Sequence, residues 1–235
     1  MKSSERIINT DFHYKDIVPW GRSFDEYLDM FNLSEDDLAR DIVGVGDGPA
    51  SFNFRMNQRG TPIISVDPIY QFSEVELRQR IQETYDDVIA QARLNQDKFV
   101  WTKFSSVDEL AKVRMQAMDE FCRDFESGKQ QGRYINASLP NLPFPDGHFD
   151  LVLSAHLLFF YSANRDLAFH LDGIRELLRI GTEVRIFPIV DVNSNPSPFL
   201  SPVIDELKKE NIACSVKHVP YHFQKTGNEM LRLKP

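Results

Sequence analysis

Cysteine is nearly absent from the 235 residues. The two present, Cys122 and Cys214, have no metal-type spacing, and a chain of this size needs no disulfide. Long apolar runs are missing too. The longest, Leu157-Leu158-Phe159-Phe160-Tyr161 with its flanks, falls far short of the roughly 20 residues that span a bilayer. No apolar signal region follows the start, Met1 to Arg6, so the expectation is a cytoplasmic protein without a membrane partner. Basic charge is in deficit, with 27 Lys and Arg against 35 Asp and Glu and a net charge of -8. Proteins that track a phosphate backbone usually carry the opposite balance, so nucleic acid is not the expected partner. There is no internal repeat, no Gly-Lys-Ser/Thr phosphate loop, no Gly-x-Ser-x-Gly elbow and no acid-rich cluster, so no metal is expected. His218 and His222 are four apart on an expected strand, which is not the spacing of a helical metal pair.

With 42% apolar and 26% charged residues, the chain is expected to fold as one α/β domain over 1–235. Residues 1–34 read as an arm with aromatic anchors Phe12, Tyr14 and Trp20, followed by a lid helix. Ser23 with Glu26, and Ser34 with Asp37, have the spacing of helix capping boxes. Strand, glycine turn, helix and strand follow from Ile42 to Asp67, a βαβ start. Residues 71–132 form a helical excess over what a crossover needs, with capping signals at Ser73 and Ser106 and a polar break at 127–132. This segment is expected near the ligand side of the sheet, as a cap or as a packing insertion. Strands at Tyr134–Ala137, Phe149–Ala155 and Glu183–Val190 alternate with helices at Asp166–Arg179 and Pro202–Glu210. Ser215–Phe223 and Asn228–Lys234 read as an antiparallel hairpin around Gly227.

The chemistry gathers at Gly44-Val45-Gly46-Asp47-Gly48. Glycines let a ligand approach the backbone, and the next helix offers free amides. Asp67 ends the following strand, where a carboxylate can accept both hydroxyls of a ribose.

Ile42 to Phe52 resembles the first motif of class I S-adenosylmethionine-dependent methyltransferases, and Val66-Asp67 resembles their ribose-binding acid. Leu142-Pro143-Phe144-Pro145-Asp146-Gly147-His148-Phe149-Asp150-Leu151-Val152 is similar to the segment entering their fourth strand, and Ile174–Arg179 to the helix before their fifth. The resemblance implies a Rossmann-like, mostly parallel seven-stranded sheet with an antiparallel last strand and helices on both faces. It implies a transferase whose cofactor is S-adenosyl-L-methionine; the acidic charge and the helical excess favour a small or medium organic acceptor over DNA or RNA. Gly44, Gly46, Asp47, Gly48, Asp67 and Pro68 would hold that cofactor from the first two strands. Ser138, Leu139 and Ala155 would do so from the third and fourth, with Tyr14 and Arg22 closing over it from the arm.

The chain departs from the family where an acid is usual and Gly44 stands, where a glycine is usual and Ala50 stands, and at Ser138, often acidic. Asp47 is the candidate to supply the missing negative charge near the cofactor's ammonium. His156, just past a strand's carboxyl end, is the candidate general base, its unperturbed pKa suiting that work, and Tyr161 the candidate for orienting the acceptor. Two other readings share the βαβ start. One is a catalytically weak or non-catalytic S-adenosylmethionine-binding protein, favoured by the departures. The other is a nicotinamide-dependent oxidoreductase, disfavoured by the Leu142–Val152 segment and the hairpin.

Overall fold

The computed structural model describes residues 19–235. One sheet carries seven strands: β1 (Ile42–Val45), β2 (Ile64–Val66), β3 (Tyr134–Ile135), β4 (Leu151–Ala155), β5 (Val184–Phe187), β6 (Ala213–His218) and β7 (Glu229–Lys234). Their spatial order is β3-β2-β1-β4-β5-β7-β6. The first five run parallel, and β7 is antiparallel to both β5 and β6. The chain moves outward from β1 to β2 and β3, then returns to the other side for β4 and β5. The strand order therefore reverses between β1 and β4, where a crevice opens at the carboxyl ends of an open α/β sheet. The strands are shorter than the sequence pattern suggests. The paired strands end at His218 and Glu229, one further bond joins the Val219 amide to the Asn228 carbonyl at 2.9 Å, and ten residues connect the two strands.

The helices are α1 (Phe24–Phe31), α2 (Glu35–Leu38), α3 (Phe52–Gln58), α4 (Glu74–Leu94), α5 (Val107–Gln130), α6 (Leu167–Ile180) and α7 (Leu200–Lys209). Period-two alternation sends successive strand residues to opposite faces. On one face Val43, Val45, Val152 and Val184 meet Ile174 and Leu177 of α6 and Val203 and Leu207 of α7. On the other, Ile42, Leu151 and Leu153 meet Tyr27, Met30 and Phe31 of α1 and Phe52 and Met56 of α3. Tyr27 stacks on Phe52 with centroids 4.6 Å apart. Helix α1 thus packs as core, held by its aromatics, where the sequence suggests a lid.

Helices α4 and α5 make up most of 71–132, and they serve two regions. At their base Leu77, Ile81, Phe121 and Phe125 close around Tyr70 and Tyr134. Towards the ligand edge Ile89 and Ala92 pack with Val107, Ala111 and Phe99. The connection between the two helices is clasped to the hairpin turn. Val100 N–H donates to the Phe223 carbonyl at 2.7 Å, and the Phe99 and Phe223 rings stack at 4.4 Å. No break occurs at 127–130, because α5 continues to Gln130. Gly128 lies inside the helix, and a Cβ there would collide with the Tyr134 ring. The glycine marks close packing of helix on strand, not a helix end. Asp124 accepts from both terminal nitrogens of Arg133 at 2.7 Å and from the Tyr134 hydroxyl at 2.9 Å, tying α5 to β3.

Candidate functional site

A cavity of about 380 Å³ opens over the carboxyl ends of the parallel strands. Gly46, Asp47, Gly48, Asp67, Pro68, Ser138, Leu139, Ala155 and Arg22 all line it, as do His156 and Tyr161. Gly44 does not border it, and Tyr14 lies outside the described residues. The insertion supplies a wall from Val88 and Ala92 of α4, Phe99, and Leu110 and Arg114 of α5. The clasped hairpin turn adds Tyr221, Phe223 and Gln224.

The glycine turn is fixed by its neighbours. Gly46 and Gly48 have φ of 77° and 54°, the left-handed region that glycine enters without cost. Gly46 N–H donates to the Val66 carbonyl at 2.8 Å. Gly48 N–H donates to Asp67 at 2.9 Å, and its carbonyl accepts from the Tyr70 hydroxyl at 2.8 Å. The other Asp67 oxygen accepts the Ile69 amide at 2.9 Å. Each oxygen keeps a lone pair for a further donor. Burial pushes the Asp67 carboxyl up to about 6, against the pull of its two backbone bonds.

Asp47 explains Gly44. The Asp47 carboxylate folds back under the turn, accepting from the Tyr27 hydroxyl at 2.8 Å and the Ser65 hydroxyl at 2.6 Å. A Cβ on Gly44 would land on that carboxylate. The acid missing from position 44 is delivered into the same space from three residues downstream. Burial pushes the Asp47 carboxyl up to about 7, with nearby Asp67 adding to the rise.

The wall built from the start of α1, α5 and Tyr221 is cationic. Arg114 and Glu26 form an ion pair at 2.7 Å with side chains 1% and 0% exposed. The Tyr221 hydroxyl donates to Glu26 at 2.8 Å and accepts from Arg114 at 3.1 Å. Glu26 also accepts the Ser23 amide at 2.9 Å, so one carboxylate caps α1 and anchors the cavity wall. Arg22 lies beside this group, its guanidinium lowered to about 10 by burial and by Arg114. His156 follows β4 with a φ of 52°, uncommon for a residue with a Cβ. Its ring meets Phe160 and Phe187 edge-on, at 5.0 and 5.5 Å. Burial, then Arg22 and Arg114, hold its pKa well below the usual imidazole range. That shift favours the neutral imidazole and makes His156 a weaker base than a free histidine.

A family model described as a methyltransferase domain matches residues 111–184. An uncharacterized protein of Methanocaldococcus jannaschii is 34% identical over 221 residues, 94% of this chain and 97% of that one. The chain belongs to one family with that protein, and its residues 111–184 carry the match to a methyltransferase domain. Among solved structures, magnesium protoporphyrin IX methyltransferase from Synechocystis, bound to S-adenosylhomocysteine, is 10% identical with a TM-score of 0.49. That match covers 90% of this chain and 80% of the other. A SAM-dependent methyltransferase from Aquifex aeolicus is 11% identical with a TM-score of 0.39, covering 88% and 90%. Among the described residues no cluster of His, Cys, Asp and Glu could hold a metal, and no helix is long and apolar enough to cross a membrane.

Several residues of this candidate site are silent in the sequence. Tyr27 and Tyr70 read as helix or loop aromatics, yet both bond the glycine turn. Arg114 carried the readable signal: it is a charge on the apolar stripe of α5, between Leu110 and Met118. Gly44→Ala is expected to destabilise the fold by about 1–3 kcal/mol, the cost of overpacking, measured by urea unfolding. In an Asp47→Ala background the same change should cost little; an equal cost in both would refute the shared space.

Proposed function

We propose that this chain transfers a methyl group from S-adenosylmethionine to a small organic acceptor. The observation that carries the reading is the left-handed Gly48 turn beside Asp67 at the β1/β4 switch point. The direction a Gly48 side chain would take is open for 4 Å, so a ligand can reach the backbone there. Asp67 lines the same cavity, and its two oxygens, each holding one backbone donor, retain acceptor capacity suited to the two hydroxyls of a ribose. Leu139 and Ala155 supply apolar surface beside it, and Pro68 and Ser138 line its edge. When bound, the cofactor would supply an electrophilic methyl group to the acceptor's lone pair, with the C–S bonding pair remaining on its sulfur.

The chain's own work is alignment and exclusion of water, which such a displacement chiefly needs. Phe99, Phe160 and Phe223 with Val88 and Ala92 wall the acceptor side. A neutral His156 can orient an N–H or O–H of the acceptor by hydrogen bonding, and Tyr161 lies on the same wall. The filled space under Gly44 weakens the reading as a non-catalytic binder, because the departure there is compensated.

Calorimetry with S-adenosylhomocysteine tests the proposal. The wild-type protein is expected to bind it, and Asp67→Ala to bind it about 1–3 kcal/mol more weakly, the scale of a lost charged hydrogen bond. Equal affinity in a folded Asp67→Ala protein would remove Asp67 from the site. Binding of nicotinamide cofactors alone would overturn the whole reading.

A further inference from the structure

We propose that His170 is a proton-operated clasp behind one wall of the cavity. With both ring nitrogens protonated it joins the Leu158 carbonyl to the first turn of α6, and loss of one proton releases one of the two joints. The inference concerns the wall alone and does not depend on which group is transferred.

His170 is 0% exposed and stands behind the cavity, not on its lining. Its Nδ1 lies 2.6 Å from the Asp166 carbonyl, and its Nε2 lies 3.1 Å from the Leu158 carbonyl. Both partners are carbonyl oxygens, which only accept. A neutral imidazole has one N–H and one lone pair, so it serves one carbonyl and turns its lone pair on the other. An imidazolium donates to both. The Asp166 joint is local, one turn back along α6. The Leu158 joint spans twelve residues and ties α6 to the segment after β4. That segment carries His156, Leu157, Phe160, Tyr161 and Arg165 into the cavity, while Leu158 and Phe159 are buried beneath them. Its start is fixed to β5, where the His156 amide donates to the Phe187 carbonyl at 2.7 Å. Its end is fixed by Asp166, which accepts the Phe169 amide at 2.9 Å. The Leu158 joint lies between these two points.

The surroundings leave the two carbonyls as the ring's polar partners. Phe199, Phe159 and Phe169 pack on it with centroids 4.7, 5.5 and 6.2 Å away. From the segment after β4 the charged neighbour is Arg165, exposed and 4.9 Å over the Phe169 ring. From α6 it is the exposed Asp166, whose carboxylate is turned to the Phe169 amide. From the turn before α7 comes Ser197, whose hydroxyl pairs with that of Ser162 at 2.7 Å. Among the described residues no ion pair joins any of these to the imidazole. The two carbonyl dipoles favour a charged ring, and burial with the positive end of α6 opposes it. Adding the proton completes both joints and holds the cavity wall; removing it sets a lone pair against a buried carbonyl, which costs more than a missing bond alone.

Nuclear magnetic resonance on ligand-free protein labelled with nitrogen-15 tests the clasp between about pH 5 and 9. His170→Gln, whose side chain keeps one amide donor group and does not titrate, assigns the ring signals. Expected is a step in which one of the two His170 ring nitrogens loses its proton, with the amides of Leu158 to Arg165 moving at the same midpoint. Protection of those amides from hydrogen exchange should be about fivefold higher on the acid side of the step. In His170→Gln both responses should vanish, while shifts owed to His156 in the segment and to Asp47 and Asp67 at the glycine turn persist. A His170 ring that keeps one protonation state over the whole range overturns the proposal. So does a ring step that the Leu158–Arg165 amides do not follow, or an amide step at the ring's midpoint that persists unchanged in His170→Gln. Should His170→Gln fail to fold, through-bond correlations assign the ring in wild type, and the presence or absence of a shared midpoint decides alone.

Discussion

Arg114→Met is expected to lower stability by about 3–5 kcal/mol, because it leaves Glu26 buried without its counter-charge. Glu26 is 0% exposed and accepts from Arg114, from the Tyr221 hydroxyl and from the Ser23 amide. Without the guanidinium, the carboxylate must either keep its charge uncompensated in a buried surrounding or take up a proton. The damage should spread beyond α5, since the same carboxylate holds the first turn of α1. Urea unfolding at fixed salt measures the effect. A chain of this length loses about 2–4 °C of melting temperature per kcal/mol, so thermal scans should see it plainly. Removing both charges, as Glu26→Gln with Arg114→Met, should cost clearly less than the sum of the two single changes. A loss under about 1 kcal/mol for Arg114→Met would mean that the pair is solvated in solution.

Affinity for S-adenosylmethionine is expected to rise as pH goes from 5 to 8. Burial raises the carboxyl of Asp47 to about 7 and that of Asp67 to about 6, both above the ordinary aspartate value of about 3.9. The folded chain therefore holds these protons more tightly than the unfolded chain. The stability this gives is complete below about pH 4 and is lost as pH rises through 6 and 7, on the order of 3–4 kcal/mol for Asp47. A ligand with a sulfonium and an ammonium favours the ionised carboxylates, so binding releases protons and strengthens as pH rises. S-adenosylhomocysteine lacks the sulfonium charge and should show a shallower slope. Titrations near pH 6.5 in buffers of different ionisation enthalpy count the released protons. His156 acts on stability in the opposite direction: its depressed pKa gives stability that is present above about 6.5 and lost as pH falls. Asp47→Asn isolates the acid, and should flatten the pH dependence while raising ligand-free stability at pH 8. A slope unchanged by Asp47→Asn would assign the titration elsewhere.

The fold was legible because its elements follow local rules. Capping pairs mark the starts of α1, α2 and α4 where the sequence places them. The glycine turn, Asp67 and the β4 segment order the sheet, and the sequence places the carboxyl-edge residues around one cavity. Contacts between distant segments were not legible. Glu26 satisfies a capping pattern, and nothing local says that Arg114, 88 residues on, completes it. Gly128 has the look of a helix stop, and only the Tyr134 ring across from it gives its reason. The pKa of His156 depends on Arg22 and Arg114, which the chain order does not bring near it.

Position 44 and position 47 also constrain how such a site can change over time. An aspartate introduced at 44 while Asp47 remains would force two carboxylates into one volume. Losing Asp47 while 44 stays glycine would leave the Tyr27 and Ser65 hydroxyls without their acceptor. Neither single step is neutral, so positions 44 and 47 can change without cost only together.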